Sequence, residues 1–164
     1  MIGLTRLALL LTIGLLAGCS AAGAAPRPVL PVGAERPVVP RAYPEGGITI
    51  AAPGSKTAKI DAVRAYAVCS NGEASCPDGA PGSAELASAT DDQYGDIKPD
   101  GTVSHPIQAR LTWVFTWNHV SCPARLGPKP PGAVSAPPAV CDWVVLVDAD
   151  SGQFLITYAG PPVK

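Results

Sequence analysis

Residues 141–159 constrain the fold most strongly, because they have the pattern of two strands joined by a tight turn. The first run, residues 143–147, is apolar and β-branched and is bounded by an aspartate on each side, which is typical of a strand buried on both faces. Residues 148–152 have turn chemistry: short polar side chains cap the local backbone, and Gly152 can adopt a positive φ. Residues 154–158 form the return strand. We therefore expect a β-hairpin here.

Three more segments have strand patterns. In residues 108–118 large apolar side chains alternate with smaller or more polar ones, which predicts a strand whose aromatic face lies in the core; the face consists of Leu111, Trp113, Phe115 and Trp117. Residues 84–90 predict a strand of small side chains, and residues 47–50 predict a short edge strand. The long strand at 108–118 and the strand after residue 142 are expected to be antiparallel neighbours.

One segment predicts a helix, over residues 57–69. Ser55 or Thr57 can cap its first turn by accepting a hydrogen bond from an unpaired backbone N–H. Ile60, Val63 and Ala67 form an apolar stripe at helical spacing, so the helix is expected to pack on a sheet.

The N-terminus has the pattern of a secretory signal, assigned to residues 1–18. Arg6 provides a positive start, and residues 7–16 are an apolar stretch too short for a stable membrane span. The Leu-Ala-Gly-Cys sequence ending at Cys19 resembles the lipobox of bacterial lipoproteins. The resemblance implies that Cys19 is lipidated and that the protein is anchored in the cell membrane on its extracytoplasmic face. The alternative is an ordinary secreted protein with a chance cysteine at this position.

Residues 19–45 are rich in proline and small side chains, and we interpret them as a tether between the anchor and a folded domain spanning residues 46–164. Removing the signal removes Arg6, one of 12 basic residues; the remaining 11 face 13 acidic residues, a net charge of −2. No cluster of Lys and Arg is available to follow a phosphate backbone, so no nucleic acid is expected as a partner.

The cysteines support an oxidising compartment. Of five cysteines, Cys19 is assigned to the anchor, which leaves an even number that allows three pairings. We favour Cys69–Cys76 and Cys122–Cys141, since each pair brackets one loop-like insertion. The second pair closes a proline-rich insertion at residues 121–140. There is no C-x-x-C motif and no His near a Cys pair in a zinc-like pattern, so neither a metal nor another cofactor is expected.

One helix followed by an antiparallel sheet of three to four strands is an α+β arrangement. The strand Trp113-Val114-Phe115-Thr116-Trp117 and the ending from Val145 to Leu155 (VLVDADSGQFL) resemble the PepSY domain. The resemblance implies a PepSY-like α+β domain, an extracytoplasmic location and an association with the modulation of peptidases. It carries no catalytic residues onto this chain.

Several polar groups invite a chemical interpretation. The Asp148 turn lacks the Gly and the bidentate acid that an EF-hand requires at its sixth and twelfth positions, so a hairpin turn is favoured over a calcium site. His105 and His119 are the two histidines of the sequence, and His119 lies three residues before Cys122, a spacing that rarely gives a base and nucleophile pair. The acidic loop of Asp91, Asp92 and Asp96 is better interpreted as solvated than as an acid–base pair.

Two sets of apolar side chains each have two interpretations. The three tryptophans, Trp113, Trp117 and Trp143, are expected in the core rather than on a stacking platform. The other face of the sheet could be either covered or a partner-binding face; it would consist of Val114, Val144, Leu146 and Leu155.

These patterns favour a non-catalytic protein- or peptide-binding module on a membrane-anchored lipoprotein. A regulator or inhibitor of an extracytoplasmic peptidase is the first alternative, from the family resemblance alone. A small hydrolase that uses the acidic loop or His119 is the second.

Overall fold

A six-stranded antiparallel sheet organises the structure, which is a computed structural model described for residues 29–122 and 140–163. In chain order the elements are β1 (Arg41–Tyr43), a 3-10 turn (Pro44–Gly46), β2 (Ile48–Ala51), α1 (Ala62–Ser70), β3 (Ser83–Asp91), β4 (Asp96–Ile97), β5 (Val103–Ser104), β6 (Arg110–Ser121), β7 (Val140–Asp148) and β8 (Phe154–Gly160). The large sheet has the order β1-β2-β3-β6-β7-β8, and β4 and β5 form a separate two-stranded sheet.

The expected PepSY-like fold, one helix on a sheet of three to four strands, is wrong. The sheet has six strands, the helix has nine residues, and the protein is mostly β. The hairpin is found as β7 and β8, and β6 and β7 are antiparallel neighbours as expected. The strand of this sheet that the sequence did not predict is β1, which pairs with β2 and makes β2 an inner strand rather than an edge strand. A strand of three residues between Pro40 and Pro44 has no readable alternation, and proline is tolerated at a sheet edge.

The helix begins five residues later than expected. Asp61 is its N-cap, and its carboxylate accepts a 2.7 Å hydrogen bond from the backbone N–H of Arg64. Neither Ser55 nor Thr57 caps it. The shift also moves the apolar stripe: Val63 is 61% exposed, and the buried side chains are Ala62, Ala65, Tyr66 and Val68.

The helix covers one face of the sheet, which we call the first face. The aromatic side of β6 lies beneath it: the ring centroid of Tyr66 is 5.2 Å from that of Phe115 and 6.2 Å from that of Trp117. Trp113 and Trp117 are buried and Trp143 is half-buried, so all three belong to this core rather than to a stacking platform. Their indole N–H groups donate to backbone carbonyls of the segment that covers the face; the acceptors are Ile60, Gly79 and Ser75.

The opposite side, the second face, is covered by the sheet itself. Val114, Val144 and Leu146 have no exposed surface, and they pack with Tyr43, Ile48 and Ile50 of the β1–β2 hairpin. The ring of Tyr43 in β1 lies 5.3 Å from the ring of Tyr158 in β8, and a Cβ on Gly46 would overlap the Tyr158 ring. Since β1 and β8 are the two edges of the sheet, the sheet curls until its edges meet.

Residues 29–45, assigned from sequence to the tether, belong in fact to the fold. Leu30 and Ala34 are buried in the core of the first face, and Glu35 forms a parallel bridge with Ala84. Residue 46 is therefore not the start of the ordered domain. Residues 1–28 lie outside the described part of the chain, as do Cys19 and its proposed lipidation.

Both expected disulfides are present, Cys69–Cys76 and Cys122–Cys141. The first closes the loop after α1, and the second joins the end of β6 to the start of β7. Most of the proline-rich insertion between Cys122 and Cys141, residues 123–139, lies outside the described residues. No helix in the described ranges is long and apolar enough to cross a membrane.

Candidate functional site

The open end of the second face contains a polar cleft of about 320 Å³. It is bounded by β1 and the residues before it, by one end of β3, β6 and β7, and by the C-terminal segment; the lining residues are Val39, Pro40, Arg41, Tyr43, Ser83, Glu85, Thr116, Asn118, Asp142 and Val163. Most of its polar side chains stand on strands, so the backbone of the sheet fixes their positions. We call this site the polar cleft.

A buried ion pair forms the floor of the polar cleft. Arg41 Nη1 donates to Glu85 Oε2 at 2.7 Å, and the side chains are 14% and 7% exposed. Arg41 also donates from Nε to the Tyr43 hydroxyl at 2.8 Å and from Nη2 to Thr116 Oγ1 at 3.2 Å. Glu85 further accepts from the Ser83 hydroxyl at 3.0 Å. The charges of this pair are thus compensated within the protein, as buried charges require.

The surroundings of the ion pair change the pKa values of Arg41 and Tyr43. Burial lowers the pKa of Arg41, but its hydrogen bonds to Glu85 and Tyr43 outweigh burial, and the net change is upward. Burial raises the pKa of Tyr43, opposed by Arg41 and reinforced by the charges of Asp142 and Glu85. Tyr43 is therefore a neutral hydrogen-bonding group in the cleft.

Asp142 forms one wall of the cleft and is only 5% exposed. Its Oδ1 accepts from the backbone N–H of His119 at 3.3 Å, and its Oδ2 accepts from that of Val163 at 3.0 Å. His119 has a φ of 56° at the irregularity in β6 between Trp117 and Val120. A bulge of this kind re-aims the local backbone, and here the bulged residue directs its N–H to Asp142.

A second depression, which we call the basic groove, has a volume of about 850 Å³ and lies beside the β7–β8 turn. Arg110 Nε donates to Asp148 at 2.6 Å, and Lys59 pairs with Asp150 at 3.1 Å. The exposed Lys56 donates to the Ala109 carbonyl at 2.8 Å. The three described cations of the basic groove, Lys56, Lys59 and Arg110, are therefore bound to protein groups or exposed to solvent, and none of the three is a buried charge without a partner.

The turn interpretation of the Asp148 segment is confirmed. Asp148 Oδ1 accepts from the backbone N–H groups of Asp150 and Ser151 and from the Ser151 hydroxyl, at 2.6–3.0 Å. Burial raises the pKa of Asp148, but the bonds from Ser151 and Arg110 outweigh it, so the pKa is lowered. Across the described part of the chain, no group of three or more His, Cys, Asp or Glu side chains could hold a metal ion.

The other candidates from sequence are not brought together. His119 has an exposed side chain, and its bond to Asp142 comes from its backbone; Cys122 is in a disulfide. His105 Nδ1 lies 3.0 Å from the Tyr94 carbonyl. Of the acidic loop, Asp91 is buried and binds the backbone N–H groups of the two residues that follow Asp92, whereas Asp92 and Asp96 are exposed.

The face of the sheet that the sequence offered as a possible partner-binding face lies in the interior of the protein. Val114, Val144 and Leu146 are buried and Leu155 is half-buried in the core of the second face, because the β1–β2 hairpin lies over it. Val114, Val144 and Leu146, which have no exposed surface, are therefore not available to a partner. Of the two alternatives left open from sequence, a covered face is the one found.

Sequence reasoning missed the polar cleft altogether. In the sequence, Arg41 belongs to the expected tether, Glu85 is one polar residue in a strand of small side chains, and Asp142 marks the boundary of an expected strand. A usable signal was present in Glu85 and Asp142, since both are acidic residues inside or next to strands that are otherwise apolar or small.

No protein-family model, curated protein or solved structure matches the chain.

Proposed function

We propose that the protein is a non-catalytic binding module, held by a lipid on Cys19 at the extracytoplasmic face of the cell membrane, and that it binds a peptide or protein partner in the polar cleft. The observation that carries the proposal is the cleft itself. Ligand sites commonly lie in the mouths of β-barrels and have volumes of about 300–1,000 Å³. The cleft occupies the corresponding end of a curled sheet, at about 320 Å³.

The rigidity of the cleft also supports binding. Five polar side chains of the cleft stand on four strands and are held by hydrogen bonds; they are Arg41, Tyr43, Glu85, Thr116 and Asp142. Sites built on strands hold their geometry better than sites on loops. A ligand would therefore meet a preformed surface and would not have to order it.

The arrangement of the other polar groups argues for binding rather than catalysis. The hydrolase interpretation requires a base within hydrogen-bond reach of a nucleophile. His119 meets Asp142 only through its backbone N–H, and its side chain is exposed to solvent. The ion pair on the floor of the cleft is fully engaged with protein groups, as a supporting structure requires.

Site-specific photo-crosslinking in intact cells tests the proposal. A photoreactive amino acid replaces the exposed, cleft-lining Asn118 in one variant and Val63, 61% exposed on the helix, in a control variant. We expect an adduct of discrete mass from position 118 and none from position 63. Equal adducts at both positions, or none at 118, would overturn the assignment of the site.

The anchor is tested separately. Cys19→Ser removes the thiol that a diacylglycerol would modify. We expect the protein to leave the membrane fraction or to remain unprocessed. Unchanged attachment of a processed protein would overturn the anchor and leave the cleft unaffected.

A further inference from the structure

We propose that the polar cleft binds a cationic side chain of the partner, with Asp142 as its counter-ion. This inference rests on the proposed function and names the chemistry that the cleft recognises. Its starting point is the charge of the cleft. Arg41 contributes one positive charge against the two carboxylates Glu85 and Asp142, so the described lining has a net charge of −1.

Among the described residues that line the cleft, Asp142 is the carboxylate without a charged partner. Glu85 has Arg41 at 2.7 Å, whereas among the described residues no Lys, Arg or His side chain forms an ion pair with Asp142. Its two hydrogen bonds come from the neutral backbone N–H groups of His119 and Val163. A carboxylate that is 5% exposed and meets only neutral donors has not recovered the free energy of a full counter-charge.

The neighbouring groups fit a cation better than an anion. After burial as the larger cause, the charge of Asp142 raises the pKa of the Tyr43 hydroxyl, and it adds to burial and to the charges of Glu45 and Tyr43 in raising the pKa of Tyr158. Arg41, the one cation among the described lining residues, is engaged by Glu85, Tyr43, Thr116 and the Val39 carbonyl. An anionic ligand would therefore meet an occupied guanidinium and a repelling carboxylate, whereas a cation would meet a carboxylate with free lone pairs.

The amides bound to Asp142 provide a direct readout. In the full-length protein in neutral detergent, the backbone N–H resonances of His119 and Val163 are followed by NMR during titration with four capped amino acids. The cationic probes are Nα-acetyl-lysine methylamide and the arginine analogue. The neutral and anionic probes are the norleucine and glutamate analogues, of which norleucine matches the length of the lysine stem.

We expect both cationic probes to shift the two resonances with saturation, and the neutral and anionic probes to do so at least about tenfold more weakly, as the loss of a charge-assisted hydrogen bond requires. The comparison of lysine with arginine separates an ammonium from a guanidinium ligand. Asp142→Asn keeps an oxygen acceptor for the backbone but removes the charge, and it should abolish the preference. Asp150→Asn, which removes an exposed carboxylate outside the cleft, should leave the preference unchanged.

Asn118→Asp provides a test that does not depend on the folding of the Asp142 variant. Asn118 is exposed and lines the cleft, so an added carboxylate there, the third of the described lining, should tighten cationic binding several-fold. Unaltered or weaker binding by Asn118→Asp would count against the inference.

The two proposals fail in different ways. If norleucine shifts the resonances as strongly as lysine, the preference for a cation is overturned and the cleft remains a binding site. If no probe shifts them, the inference is overturned, and crosslinking at position 118 decides the proposed function by itself. Lys164 follows Val163 in the chain and lies outside the described residues. If lysine binds only to a Lys164→Gln variant, the chain supplies the cation itself, and a cation from a partner is overturned.

Discussion

The two faces of the sheet are buried in different ways. The first face is covered by a helix and by the loop 71–82, which the indole N–H groups of Trp117 and Trp143 and the Cys69–Cys76 disulfide hold in place. In the described ranges no helix packs on the second face; the β1–β2 hairpin curls over it and brings Tyr43 to Tyr158. The first face ends in a closed core, whereas the second ends in the polar cleft. A sheet that covers itself leaves an open mouth, and a ligand site can form there.

The largest effect is expected on the first face. Phe115 has no exposed surface and contacts the ring of Tyr66. Phe115→Ala should reduce the free energy of unfolding by about 4 kcal/mol, because it leaves a cavity that helix and sheet cannot both collapse into. Urea denaturation checks this value, with the exposed Val63→Ala as a control that should change stability little. A loss below about 1 kcal/mol would mean that this core is loosely packed.

A somewhat smaller effect is expected where the second face opens. Glu85→Ala leaves Arg41 buried without a counter-charge and should cost about 3 kcal/mol. The double variant Arg41→Met/Glu85→Leu removes both charges and should cost less than Glu85→Ala alone. Asp150→Ala breaks the exposed pair with Lys59 and should cost under about 0.5 kcal/mol. If the double variant is the least stable of the three, the ion pair is not compensated as the structure indicates.

The meeting of the sheet edges predicts a coupled effect. A Cβ on Gly46 would overlap the ring of Tyr158, so Gly46→Ala should cost about 2 kcal/mol through overpacking. In a Tyr158→Ala background the same change should cost almost nothing, because the ring is gone. A double-mutant cycle from denaturation curves measures this coupling. Additive effects would mean that the 3-10 turn and β8 are not in contact.

The smallest effect concerns the turn that joins β7 and β8. Because the pKa of Asp148 is lowered in the folded protein, the unfolded chain binds the proton more readily. The stabilisation is therefore complete above the ordinary Asp pKa of about 4 and is lost as the pH falls through the lower folded value. Asp148→Asn should flatten the decline of the unfolding free energy below about pH 4, as measured by denaturation at a series of pH values. An unchanged slope in Asp148→Asn would exclude this source of acid sensitivity.

The strands and the aromatic core of the first face could be predicted from sequence, whereas its helix boundaries, the burial of Leu30 and Ala34, and the closure of the second face could not. The alternation of Trp113, Phe115 and Trp117 and the apolar run of β7 are local patterns, so the strands, their antiparallel pairing and the aromatic core followed from them. The disulfides followed from the two loops they bracket.

The second face depends on contacts that no local pattern contains. Arg41 and Tyr43 lie in a proline-rich segment that becomes a strand only when β2 pairs with it. Their partners Glu85 and Tyr158 are 44 and 115 residues away in the chain. The PepSY resemblance drew on the hairpin and β6, and therefore could not reveal β1, the edge strand whose Tyr43 meets Tyr158 of β8.

Ring-proton NOEs test the curled sheet most directly. The chain has four tyrosines, so their resonances can be assigned by substitution. The rings of Tyr43 and Tyr158 on the second face are 5.3 Å apart, and those of Tyr66 and Phe115 on the first face are 5.2 Å apart. The account predicts cross-peaks of similar strength from both pairs. A Tyr66–Phe115 cross-peak without a Tyr43–Tyr158 cross-peak would contradict it, since the edges would not meet and the second face would be open.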